Sequence, residues 1–101
     1  MNMIFKVYFR EKHIKRGAED LEGQAIKLEI ELYSNEINYQ SISIKEDDIP
    51  YIQILVNQEE EREHLKHTLL KLPQILCYEQ DKKRYFTKYA KPEEKETFKY
   101  K

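Results

Sequence analysis

The sequence predicts a single small α+β domain, a mainly antiparallel sheet of about five strands packed on one main helix. Three observations predict it. The chain has 101 residues, the length of one hydrophobic core and too short for two. Several segments alternate apolar and polar side chains with the period of two that marks a half-buried strand. One later stretch carries leucines at helical spacing behind an N-cap signature.

The first strand is the clearest element. Met3, Phe5, Val7 and Phe9 point one way, Lys6, Tyr8 and Arg10 the other. Residues 11–24 hold both glycines, Gly17 and Gly23, among mostly charged neighbours and read as a long connecting loop. Alternation returns at Ile26, Leu28, Ile30 and Leu32, with Lys27, Glu29 and Glu31 between them, and predicts a second strand with one wet face. Ser34-Asn35-Glu36 supplies turn residues, and residues 37–45 read as a third strand that closes a hairpin, with a bulge between Tyr39 and Ile42 where the pattern slips.

Asp47-Asp48-Ile49-Pro50 places N-cap residues before a proline and predicts a short helix over 49–56, although the β-branched run from Ile52 to Val56 suits a strand equally well. Asn57 followed by Glu60 is a capping-box spacing. Leu65, Leu69 and Leu72 then form the apolar stripe of the main helix, which Pro73 ends. Residues 74–78 and 84–89 read as a second hairpin, and 91–101 as a tail or a short helix starting at Pro92. The predicted core comprises Phe5, Val7, Phe9, Leu28, Ile30, Leu65 and Leu69, each on the apolar side of a periodic segment.

Charged residues make up 37% of the chain, a level at which disorder has to be considered. The 26 Ile, Leu, Val and Phe supply enough apolar side chain for a core and decide for folding. No window has the continuous apolar length of a membrane span, and the opening lacks a signal-peptide core, which together predict a cytoplasmic protein with no membrane association. A lone Cys77 fits a reducing compartment, since it forms no disulfide within the chain. The net charge of -1 hides a segregation: the segment 1–16 is basic, 17–81 strongly acidic and 82–101 basic again. Such a dipolar surface steers an oppositely charged partner more than it stabilises a fold.

Catalytic signatures are missing. Glu60, Glu63, His64 and His67 share a helix face, but Glu63-His64-Leu65-Lys66-His67 matches neither zinc-protease spacing and reads as ordinary acid-to-base pairs on an exposed helix. Cys77 sits in a predicted strand as a small buried hydrophobe. Two glycines six residues apart cannot build a phosphate loop. The sequence therefore predicts no metal, no cofactor and no enzymatic activity.

What remains is surface. Eight tyrosines suit a protein-binding face, since tyrosine combines area with a polar tip. The leading expectation is a non-catalytic intracellular protein-binding module of the inhibitor, immunity or accessory-factor kind. It would hold another protein, or a second copy as a homodimer, through Tyr8, Glu29, Glu31 and Tyr33. The alternative is a single-stranded nucleic-acid binder: Lys83, Arg84, Tyr85, Lys88 and Tyr89 interleave cations with rings, the chemistry that neutralises phosphates while bases stack. A small ribonuclease or toxin-like enzyme comes third. The opening Met3-Ile4-Phe5-Lys6-Val7-Tyr8 resembles the first strand of the small epsilon subunit of Gram-positive RNA polymerase. The likeness covers only that strand, so neither function nor site residues are carried over and no family is assigned.

Overall fold

Met3–Phe9 forms β1, and its alternation sets everything around it: Phe5 and Val7 are fully buried, while Ile4 is 48% exposed. The computed structural model describes residues 2–98. Lys99, Tyr100 and Lys101, part of the basic and aromatic C-terminal stretch, lie outside them. After a 3-10 turn at Glu11–His13 the chain enters α1, Ala18–Ser34. Two strands follow, β2 at Ser41–Lys45 and β3 at Tyr51–Val56, then α2 at Glu59–Leu70. The hairpin of β4, Ile75–Gln80, and β5, Lys83–Phe86, leads to the short α3, Pro92–Lys95, and a closing 3-10 turn.

The sheet order is β2-β3-β1-β4-β5, with every neighbouring pair antiparallel. The first four strands and two helices thus make a split β-α-β arrangement, with β1 in the middle and β5 added at one edge. The predicted α+β domain with five antiparallel strands is the observed one, but three element assignments change. Residues 18–24, read as loop, and 26–32, read as a strand, lie inside α1, and residues 51–56 are a strand. The helical layer therefore has two long members, and the first hairpin is β2-β3.

The register lays the core out in rows. Ile44, Ile52, Val7, Tyr78 and Tyr85 align across all five strands, and Ile42, Ile54 and Phe5 align in the next row. Leu21, Leu28 and Leu32 of α1 and Leu65 and Leu69 of α2 close onto this face. Six of the seven predicted core residues belong to this cluster, whereas Ile30 is 59% exposed. The expected bulge near Tyr39 is absent because 37–40 precedes β2; the irregularity falls between Tyr8 and Phe9 against β4.

Glycine is missing from two places where the backbone asks for it. At the end of α1, Ile37 N–H donates to the Leu32 carbonyl and Glu36 N–H to that of Tyr33, a Schellman closure with Glu36 at φ 55. The β4-β5 turn holds Asp81 at φ 56 and Lys82 at φ 64, the left-handed pair of a type I′ turn. Glu36→Gly and Lys82→Gly should each raise unfolding free energy by about 1 kcal/mol, measured by urea titration. No gain from either would mean that these side chains contribute more than the strain costs.

Candidate functional site

Two surfaces can be built from these elements. The first is the outward side of α1. Leu21, Leu28 and Leu32 point inward, and directly opposite lie Ile26, Ile30 and Tyr33, at spacings i, i+4 and i+7, with exposures of 60%, 59% and 86%. They form one stripe spanning about 10 Å of helix. Glu22 and Glu29 are exposed along one flank and Lys27 along the other, so the stripe is apolar with an acidic border on one side. Large apolar side chains aligned on one helix face, away from the core, are not required by folding.

The second surface is the sheet face away from the two long helices. Tyr51, Tyr8, Cys77 and Phe86 form a row there, with the rings of Tyr8 and Tyr51 5.3 Å apart. The chain covers this row itself. Phe98 sits edge-on to Tyr8 at 4.9 Å and to Phe86 at 6.1 Å, and the Arg84 guanidinium lies 4.4 Å from the Phe98 ring. Residues 87–98 act as a strap, pinned at one end by the Thr87 hydroxyl donating to the Ile75 carbonyl at 2.7 Å. At α3, Arg10 Nε donates to both Glu94 oxygens at 3.1 and 3.2 Å, a pair whose side chains are only 8% and 15% exposed.

The electrostatics of this face are those of a sealed layer. Burial pushes the Tyr8 hydroxyl up to about 12, with Glu79 adding to the effect. Burial likewise pushes the Cys77 thiol up to about 12. A thiol so protonated at neutral pH is a packing group rather than a nucleophile. Burial opposes ionisation of Glu94 most strongly, yet hydrogen bonds from the Lys91 N–H and from Arg10 outweigh it and hold the carboxyl below the usual glutamate range. The ion pair therefore stabilises the docked strap at neutral pH and is lost as pH falls through that depressed value.

The residues singled out from sequence are distributed unevenly over these surfaces. Glu29 and Tyr33 stand on the outward side of α1 with Ile26 and Ile30. Glu31 belongs to the same helix but lies round its side, half-buried. Tyr8 is on the far face of the sheet, 8% exposed beneath Phe98, so no single surface holds all four. The missed members, Ile26 and Ile30, become recognisable once their segment is read at helical period.

The basic and aromatic segment is also divided. Tyr85 is on the helix side, stacked on Tyr78 at 5.0 Å, whereas Arg84 is on the opposite side, paired with Glu79 at 2.5 Å. Tyr89 donates its hydroxyl to the Lys71 carbonyl at 3.4 Å, and Lys83 and Lys88 are exposed. Arg84 and Tyr85 thus stand on opposite faces, while Lys88 lies 5.4 Å from the Tyr89 ring. His64 and His67 are exposed on α2, and among the described residues no three His, Cys, Asp or Glu side chains form a group able to hold a metal ion. No helix among the described residues is long and apolar enough to cross a membrane. Compared with protein-family models, with curated proteins and with solved structures, the chain matches none.

Proposed function

We propose that this protein is a non-catalytic, intracellular protein-binding module that docks its partner on the outward side of α1. The observation that carries the reading is the stripe of Ile26, Ile30 and Tyr33. Burying it against a partner would recover the hydrophobic free energy that folding leaves unused, and Tyr33 brings the large amphipathic area typical of interface anchors. The acidic flank names the partner's chemistry: an apolar seam bordered by Lys or Arg, for which Glu22 and Glu29 supply complementary charge.

A second copy fits this seam poorly. Antiparallel packing of two α1 helices centred on the stripe sets the same flank of each against the other, so Glu29 would lie beside its own copy across the contact. The nucleic-acid alternative has less support, because Arg84 is taken up by Glu79 and Tyr85 is stacked on Tyr78 on the opposite face of the sheet.

The test is a double variant, Ile26→Glu with Ile30→Glu, which places charges where side chains are already exposed. It should keep the helical circular dichroism and the melting temperature of the parent. A partner held by the parent in a saturable complex should be lost by the variant, and its binding to the parent should weaken with salt. If the folded variant retains the partner, α1 is not the docking surface. If the parent sediments as a dimer that the variant dissolves, the occupant is a second copy and the basic partner is wrong.

A further inference from the structure

A cleft of about 600 Å³ opens between the turn after β1 and the first half of α1. Its lining includes Lys12, His13, Lys15, Arg16 and Lys27, five basic side chains drawn from segments that the fold brings together. Two carboxylates, Glu19 and Asp20, also line it, but both are engaged by Arg16, at 3.7 and 2.7 Å. Among the described residues no ion pair takes up Lys12, Lys15 or Lys27. Burial and then the charges of Lys12, Arg10 and Lys27 lower the pKa of His13, which marks the positive potential collected here.

Two further features of the lining are unexplained by folding. Gly23 sits inside a 17-residue helix, where glycine weakens the helix relative to alanine. A Cβ built on it would meet no atom within 4 Å, so packing does not require the small residue. Beside it, Gln24 is 5% exposed, and its side-chain oxygen is buried without a hydrogen-bond partner. A buried acceptor left unpaired is costly and calls for a donor.

We propose that this cleft binds a small phosphorylated molecule that carries a hydroxyl donor near its phosphate, as a sugar phosphate or a nucleotide does. Lys12, Lys15 and Lys27 neutralise the phosphate oxygens. The bare surface of Gly23 lets the ligand approach the helix, and a turn of the Gln24 side chain brings its unpaired oxygen to accept from the ligand's hydroxyl. The site is separate from the outward stripe of α1 and does not depend on the docking of a protein there.

Calorimetric titration of the full chain with inorganic phosphate, ribose 5-phosphate and ADP tests it. The two ligands with hydroxyls should bind more tightly than inorganic phosphate, and the combined Lys12→Ser, Lys15→Ser and Lys27→Ser variant should weaken both by about tenfold or more. Gln24→Leu should erase the preference for ribose 5-phosphate over inorganic phosphate. Gly23→Ala should raise the melting temperature and still weaken binding, a combination that a purely structural glycine would not give. The proposal is overturned if none of the three ligands binds, if inorganic phosphate binds as tightly as ribose 5-phosphate, or if Gly23→Ala leaves affinity unchanged. A tighter complex with ADP than with ribose 5-phosphate assigns the site to nucleotides; equal affinities assign it to the sugar phosphate they share.

Discussion

Leu28→Ala should lower the unfolding free energy by about 2–5 kcal/mol, while Ile30→Ala, two residues on, should change it by no more than about 0.5 kcal/mol. The contrast follows from α1. Leu28 is fully buried among Leu21, Leu32 and the sheet, and Ile30 is 59% exposed on the opposite side. Were residues 26–32 a strand with alternating faces, the two would share one face and their truncations would cost alike. Urea titration of both variants measures this directly, and equal losses would contradict the helix.

Arg10→Ala should cost about 2–3 kcal/mol and free the strap, because it leaves the Glu94 carboxylate with a buried charge and one partner fewer. The Arg10 Nε–H is shared between both carboxylate oxygens and the pair is largely shielded from water, unlike the exposed Arg16 pairs at the start of α1, which contribute little. Loosening α3 withdraws Phe98 from Tyr8 and Phe86 and uncovers Cys77, which is fully buried in the parent. Alkylation of Cys77 by iodoacetamide at pH 8 should therefore accelerate in the variant. An unchanged rate with unchanged stability would mean that Thr87 and Phe98 hold the strap without the ion pair.

The sheet was legible where strand runs are bounded by polar turns. β1 alternates in sequence as it does in the structure over Met3–Val7, the β4-β5 hairpin shows as two apolar or aromatic runs around a polar turn although β4 is buried on both faces, and α2 carries its leucines at helical spacing behind an acidic first turn. α1 was misread because it is apolar on two sides. The inward stripe of Leu28 and Leu32 and the outward stripe of Ile26 and Ile30 interleave in sequence and imitate the period of a strand. Its ends are also unmarked: Gly17 caps the start without a side-chain hydrogen bond, and Glu36 occupies the closing position where glycine would have announced a stop. In residues 49–56, Asp47 and Asp48 imitate an N-cap, but the Asp47 side chain accepts from the Asp48 N–H within a turn, and Ile52, Ile54 and Val56 alternate into the core. One strand lost and one gained left the fold class intact.

The candidate site depended on the same misreading. Exposed Tyr33 and Glu29 could be singled out as side chains off the apolar stripe, but their partners Ile26 and Ile30 could not while they were assigned to a buried strand face. Tyr8 looked free because nothing in the local sequence reveals that Phe98, far along the chain, lies over it.

The claim that the outward side of α1 is an interface is tested most directly by a photo-crosslinking residue placed at position 33 and, as a control on a remote exposed site, at position 88, both in living cells. One protein adduct is expected from position 33 and none of it from position 88. The cross-linked segment of that protein should be an apolar seam bordered by Lys and Arg. No protein adduct at position 33, or the same set of adducts from both positions, would contradict it.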